Sequence, residues 1–136
     1  MTSDTEDKVA IADLFTRYCC ALDNGELETV VDCFTADAAL KSPMIDLKGH
    51  AAIRDFVGRF SAQQAAGVQF RHMVTNVAAR IDGERARERL TRTDQPERRA
   101  PEASAGSTSA ISVKQDGAWR FNRRTVFHDH EYSLER

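Results

Sequence analysis

The stretch VQFRHMVTNVAARIDG, residues 68–83, decides the fold class. Apolar side chains recur along it at every second position, which is the period of a β-strand and not of a helix. Both faces are largely apolar, so we predict a strand over residues 68–81 that is covered on both sides. Asp82-Gly83 at its end predicts a tight hairpin turn.

Two polar side chains interrupt one face of this strand. That face carries Phe70, His72, Val74, Asn76 and Ala78. A buried polar group without a hydrogen-bond partner costs about 1–3 kcal/mol, so His72 and Asn76 each require a partner. We predict that this face lines a pocket, with His72 as a catalytic residue and Phe70, Val74 and Asn76 in contact with a substrate.

Three segments ahead of the strand have the 3.6-residue period of helices. Ser3 and Glu6 have the spacing of a capping box before the first helix, which ends near Asn24-Gly25. The predicted elements are helices over 4–22 and 27–35, a short hairpin over 38–47, and a third helix that opens after Gly49.

The segments after the strand keep the period of two. The predicted elements are strands over 84–93, 108–115 and 118–128, with a loop over 95–106 that has no period. Helices followed by strands are typical of the α+β class. We predict one domain over 1–136, in which a curved antiparallel sheet is closed by three N-terminal helices around a pocket.

Composition excludes several classes of function. The chain has 136 residues, 41% of them hydrophobic, with 19 basic and 21 acidic side chains and a net charge of -2. This charge argues against nucleic acid or an acidic membrane as the partner. No apolar run approaches the roughly 18 residues that span a bilayer, and the N-terminus is acidic, so we expect a cytoplasmic protein. Three cysteines without CxxC spacing predict neither a disulfide framework nor a zinc site.

Two further groups of charged residues need an interpretation. The arginines between Arg85 and Arg99 would either contact a phosphate or a carboxylate-bearing substrate or form a solvated sheet face. The acids interleaved with them, Glu88 among them, favour the solvated face. His128 and His130 would need a third ligand to hold a metal, so no metal is expected. We place His128 instead at the mouth of the pocket, in contact with the substrate.

A carboxylate for His72 is available at the end of the first helix, where Asp23 follows the apolar stripe. An aspartate bound to one imidazole nitrogen fixes the tautomer and makes the other nitrogen a general base. Tyr18 lies five residues earlier, which at roughly 100° per residue puts it about 140° away from Asp23 around an ideal helix. Both side chains therefore border one cavity only if the helix end loosens. We predict that His72→Ala and Asp23→Asn lower turnover by orders of magnitude and leave thermal stability nearly unchanged.

An ordered set of motifs covers most of the chain. They are LFTRYCCALDNGELETVVDCFTADA (14–38), LKGHAAIRDFV (47–57), RHMVTN (71–76) and DGAWRFNRRTV (116–126). In this order they resemble the SnoaL-like family of the NTF2-like superfamily. The resemblance implies a cone-shaped α+β barrel with a deep pocket, and homo-oligomers, dimers or trimers, that pair through the outer face of the sheet.

The resemblance also implies a chemistry. The family's aspartate and histidine, which perform elimination without a cofactor, fall on Asp23 and His72, and a tyrosine found in some members falls on Tyr18. A small, mainly apolar cyclic molecule would be the substrate. The second catalytic histidine of scytalone dehydratase-type enzymes has no counterpart in RARERLTRTD (85–94). Dehydratase, isomerase and cyclase chemistry all stay open, as does a non-catalytic ligand-binding or dimerisation module.

Overall fold

The computed structural model describes residues 3–67, 69–97 and 104–129. In chain order the elements are α1 (Asp4–Asp23), α2 (Leu27–Asp32), β1 (Phe34–Lys41), β2 (Asp46–Lys48), α3 (Gly49–Ala65), β3 (Gln69–Asp82), β4 (Arg85–Glu97), β5 (Ser104–Gln115) and β6 (Ala118–His128). The α+β class, the curved sheet and the three helices are confirmed.

Helix α1 begins as its sequence predicts. The backbone N–H of Glu6 donates to the Ser3 hydroxyl, and the Glu6 carboxylate accepts from the Ser3 N–H at 2.7 Å. This reciprocal capping box satisfies two of the helix's unpaired donors. At the other end the N–H of Asn24 donates to the carbonyl of Cys20, and the helix stays regular through Asp23.

Helix α2 is shorter than predicted. It ends at Asp32, and Phe34 and Thr35 belong to β1. The backbone N–H of Phe121 in β6 donates to the Cys33 carbonyl at 2.8 Å, so the sheet captures the chain at this point. Both Phe34 and Thr35 are residue types that favour strands, and this pairing overrides the short helical stripe.

The six strands form one sheet in the order β2-β1-β6-β5-β4-β3. Strands β3 to β6 are the predicted antiparallel meander, but β1 pairs with β6 in parallel, so the sheet is mixed. Strands β2 and β3 lie at its two edges. The sheet is therefore curved but not closed, which corrects the barrel that the family resemblance implied.

Strands β4 and β5 extend into the predicted loop over 95–106. Their pairing continues at least as far as Asp94 opposite Ser104. The sequence hid this extension because Pro and Ala break the period there, whereas the backbone ladder needs no apolar side chains. Residues 98–103, like residue 68 at the predicted start of β3, lie outside the described residues.

A β-bulge in β3 changes which side chains face inward. The pairing with β4 is interrupted between Thr75 and Ala78, and Asn76 has a φ of 57°. An extra residue at a bulge shifts the period, so the expectation that Asn76 faces the pocket is wrong. Asn76 is exposed, and its amide donates to the Thr91 hydroxyl at 3.4 Å. Met73 and Val77 are also exposed, so β3 is covered on one side only in the described chain.

The helices pack on the inner, concave face of the sheet. Rings of Phe15, Tyr18, Phe34 and Phe121 form the centre of this core, with centroids 4.8–5.8 Å apart. At the base of α1, Asp7 accepts from the Trp119 indole at 3.0 Å and from the Lys114 ammonium at 3.1 Å. Among the described residues no helix combines the length and apolar character needed to cross a membrane.

Candidate active site

A pocket of about 320 Å³ lies between the inner face of the sheet, helices α1 and α3, and the β1–β2 hairpin. Its wall is mainly apolar, and the residues that line it are Leu22, Leu40, Met44, Ile45, Phe56, Phe60, Phe70 and Val126, with Tyr18, Ser42, Arg59, Gln63, His72, Arg92, Arg124 and His128 as the polar members. The volume and the concave, apolar wall are typical of a small-molecule site.

Asp23 and His72 are joined by two hydrogen bonds. One carboxylate oxygen, Oδ1, binds Nδ1 of the His72 ring, and the other, Oδ2, accepts from the backbone N–H of His72 at 2.8 Å. Only 8% of the Asp23 side chain and 11% of the His72 side chain are exposed. Since an ionised carboxylate only accepts, His72 carries its proton on Nδ1, and proton exchange with a substrate would use Nε2.

The helix end that carries Asp23 is held by side chains from two other elements. The amides of Gln64 in α3 and Gln69 in β3 donate to the Asp23 carbonyl at 3.1 and 3.0 Å. The expected loosening of this helix end does not occur, because Asp23 does not line the pocket. Asp23 lies behind His72, and the imidazole ring of His72 reaches the pocket wall. Tyr18, five residues before Asp23 in α1, also lines this wall.

Tyr18 is buried among aromatic rings. Phe34 and Phe121 contact its ring edge-on, at interplanar angles of 76° and 89°. Burial raises the pKa of the Tyr18 hydroxyl, so this group stays protonated and can donate a hydrogen bond into the pocket.

Arg124 lies directly over the Tyr18 ring, with the guanidinium carbon 4.0 Å from the ring centroid. Its side chain is 2% exposed, and its Nε and Nη1 find no acceptor among the described residues. Cation–π contacts of a desolvated guanidinium are worth about 2 kcal/mol. Burying an unpaired charge costs several kcal/mol, so this contact offsets only part of the cost.

A second buried arginine, Arg92 of β4, lines the same pocket and is 4% exposed. Its Nη2 lies 3.5 Å from Nδ1 of His128. Burial and, to a smaller degree, the positive charge of Arg92 lower the pKa of His128, so that ring is neutral near pH 7. Arg92 and Arg124 therefore place two buried positive charges on the β4–β6 side of the pocket, next to the neutral His128.

The structure brings some of the predicted site residues together and separates others. Asp23 and His72 are hydrogen-bonded, and Tyr18, Phe70 and His128 line the same pocket. Val74 is half-buried against the core and is absent from the pocket lining, so the predicted contact with the substrate is not supported. Asn76 lies on the exposed bulge of β3.

Arg92 was predicted on a solvated sheet face, and this prediction is wrong because Arg92 is buried in the pocket wall; Arg124 was not predicted as a site residue. Arg92 is in phase with the buried Ala86 and Leu90 of β4, so the period of two could have identified it. Arg124 gave no such signal. An irregularity opposite Ile111 and Ser112 lets both Phe121 and Arg124 point inward although they are three residues apart.

The same alternation places three other arginines of β4 on the face opposite Glu88. Arg85, Arg87 and Arg89 are exposed on the outer face, whereas Glu88 is 4% exposed on the inner face. Burial raises the pKa of Glu88 to about 7. The expectation that Glu88 balances a solvated arginine face is therefore wrong. Arg98 and Arg99 of the same predicted cluster lie outside the described residues.

Within the described ranges, no group of three or more histidine, cysteine, aspartate and glutamate side chains could hold a metal ion. His130, which the sequence places near His128, lies outside those ranges. The cysteines are free thiols, and Cys19 and Cys33 are buried.

The fold has clear structural relatives. A variant of Rv3472, a protein of unknown function from Mycobacterium tuberculosis, is 25% identical, with a TM-score of 0.83 over 96% of this chain and 81% of that one. A Nostoc punctiforme protein of unknown function with a cystatin-like fold is 23% identical, with a TM-score of 0.84 over 98% and 99%. A Novosphingobium aromaticivorans protein assigned provisionally as a scytalone dehydratase is 18% identical, with a TM-score of 0.81 over 98% and 96%.

These likenesses place the fold in the NTF2-like, cystatin-like class. Residues 3–125 match the family of the SnoaL-like domain, and the chain belongs to that family. No curated protein shows a significant match to the sequence.

Proposed function

We propose that this chain is a cofactor-independent lyase of the dehydratase type, or a related isomerase or cyclase, acting on a small, mainly apolar cyclic molecule. The observation that carries the proposal is the buried Asp23–His72 pair at the wall of an apolar pocket. Such a pair is the arrangement that makes an imidazole a positioned general base.

The proposed step needs only groups of this chain. Nε2 of His72 takes a proton from a carbon next to a carbonyl group, and the electrons of the broken C–H bond form an enolate. In elimination the enolate expels a hydroxide, which leaves as water with the proton returned by the imidazolium. In isomerisation the same proton is returned to another carbon. Asp23 stabilises the imidazolium that forms in between.

Tyr18 and Arg124 provide the electrostatic part. The Tyr18 hydroxyl would donate to the substrate oxygen, and the guanidinium above its ring would stabilise the negative charge that develops there. Hydrogen-bond donors that are fixed in place before the reaction stabilise developing charge without the cost of reorganising solvent. Phe70 and His128 would contact the rest of the substrate.

The experiment measures proton abstraction directly. One- and two-ring cyclic ketones and β-hydroxyketones are incubated with the protein in D2O, and NMR follows exchange at the carbon next to the carbonyl and formation of the alkene. We expect His72→Gln to lower the rate on any accepted compound by about 10²–10⁴-fold, the usual contribution of a general base. Asp13→Asn, on the exposed side of α1, is the matched control and keeps the rate.

Equal rates for the His72→Gln variant and the parent chain would refute the proposal. A pocket that binds such compounds but exchanges no proton would point to the alternative, a non-catalytic ligand-binding or dimerisation module. The homo-oligomer, a dimer or trimer, and the cytoplasmic location stay predictions from the sequence, and light scattering on the purified protein tests the first of them.

A further inference from the structure

One buried arginine of the pocket, Arg124, forms no ion pair with the described residues. The lining residues in the described chain include no carboxylate, and another lining arginine, Arg59, is paired with Asp55 at 3.1 Å. Two buried acids of the described chain do not supply the missing partner. Asp23 is bound to His72, and both carboxylate oxygens of Glu88 lack a hydrogen-bond partner among the described residues. A ligand that completes the site would therefore carry a negative charge.

The two buried arginines stand on strands that flank β5. Arg92 of β4 and Arg124 of β6 both point to the inner face, and β5 between them presents Gly106, Thr108 and Ala110. These β5 side chains are small, so they leave room on the inner face for the longer side chains of Arg92 and Arg124. The Thr108 hydroxyl, fully buried, finds no partner among the described residues.

Gly106 allows β5 and β6 to approach each other closely. A Cβ at this position would lie 1.9 Å from the carbonyl oxygen of Phe127, so a side chain does not fit without moving β6. Gly106 pairs with both Arg92 and His128. The close approach of β5 and β6 therefore sets the position of His128 beside Arg92.

The buried guanidinium of Arg124 is the main evidence for an anionic ligand. Its guanidinium is always protonated, is 98% buried, and lines the pocket with Nε and Nη1 unsatisfied by the described residues. The planar fork of a guanidinium matches the two oxygens of a carboxylate. His128 lies beside Arg92, with its Nδ1 3.5 Å from Nη2 of that arginine.

We propose that the substrate carries a carboxylate, bound by Arg124 with Arg92 on the β4–β6 side of the pocket, while its apolar ring lies against Phe60 and Phe70. This inference adds to the proposed function and rests on it only in calling the ligand a substrate. The binding site itself does not depend on His72 acting as a base.

The experiment uses a matched pair of probes, 2-naphthoate and its neutral analogue 2-naphthamide, and isothermal titration calorimetry on the full chain. We expect 2-naphthoate to bind about tenfold to a hundredfold more tightly, the range of a charge-assisted hydrogen bond. Arg124→Met should abolish this preference, and Arg92→Gln should reduce it. Arg123→Met, the exposed neighbour of Arg124 on β6, is the matched control and should keep it.

A second measurement guards against a folding defect. Arg124→Met replaces an unpaired buried charge by an apolar side chain of similar length, so it should not lower the melting temperature. Excess 2-naphthoate should raise the melting temperature of the parent chain and of His72→Gln, but not of Arg124→Met. If acid and amide bind the parent chain equally, or if the preference survives in Arg124→Met, the proposal is overturned.

The two proposals can fail separately. Carboxylate binding that persists in His72→Gln without any catalysis would leave the anion site standing and remove the proposed chemistry. If the chain exchanges protons on neutral ketones but does not prefer the carboxylate, the proposed chemistry stands and the anion site is refuted.

Discussion

Asp23→Asn perturbs the site at one oxygen atom and preserves the shape of the side chain. The amide has one acceptor where the carboxylate has two, so it cannot serve both Nδ1–H and the backbone N–H of His72. If the amide NH₂ group turns toward the ring, Nδ1 must accept, and the ring proton moves to Nε2. The imidazole then presents a donor to the pocket and cannot act as a base.

Two separate effects follow for Asp23→Asn. A charge-assisted hydrogen bond is worth about 1.5–3 kcal/mol, and the imidazolium also loses its counter-charge during turnover. We expect turnover to fall by about 10²–10⁴-fold. Because the Asp23 side chain is 8% exposed and also holds the His72 backbone, we expect a loss of about 1–3 kcal/mol in the free energy of unfolding.

That loss revises the expectation, drawn from the sequence, that stability is nearly unchanged. Long-range ¹H–¹⁵N NMR spectra report the tautomer of His72 without any substrate, and urea denaturation gives the stability. Asp13→Asn, an exposed aspartate on the same helix, is the control for both measurements. A variant that keeps Nδ1–H, full turnover and full stability would show that the Asp23–His72 contact has neither role.

Three further substitutions test other parts of the structure. Glu88→Gln should stabilise the chain increasingly from pH 5 to pH 8, because burial raises the pKa of Glu88 from an ordinary 4.5 to about 7 and the parent chain therefore loses stability as the pH rises through this window. The full effect is about 3 kcal/mol in the free energy of unfolding, measured by urea denaturation at both pH values, and an equal gain at pH 5 and pH 8 would contradict it. Gly106→Ala should lower the melting temperature and weaken 2-naphthoate binding together, since its Cβ would lie 1.9 Å from the Phe127 carbonyl oxygen, and a variant as stable as the parent would argue against this close approach. Asn76→Gly should be neutral or slightly stabilising, by up to about 1 kcal/mol, because glycine adopts a φ of 57° without strain. A marked loss of turnover would instead indicate that Asn76 contacts the substrate.

Local signals in the sequence identified most of the fold. The capping box at Ser3, the helical stripes and the two Asp-Gly turns each depend on neighbours within a few residues, and each lies where it was expected. Errors arose where distant parts of the chain decide the outcome. The parallel pairing of β1 with β6 converted Phe34 and Thr35 from helix to strand, and no local period reports such a contact.

The candidate site divides in the same way. Asp23 and His72 were predicted to meet, and the structure places them in contact. Asn76 was misplaced because a bulge shifts the alternation by one residue, and Arg124 was missed because a comparable irregularity occurs in β6. Bulges depend on how two strands pair, so a reading of one strand alone does not find them.

The pocket is lined by two sets of residues. His72, with Asp23 behind it, and the two buried arginines stand on the inner sheet, whereas Met44, Ile45 and Phe56 come from the β1–β2 connection and α3. Substitutions at Met44, Ile45 and Phe56 would change the space offered to a ligand and leave Gln64 of α3, which holds the Asp23 carbonyl, in place. Directed evolution for new ligands would start at these three positions and leave the opposite wall untouched.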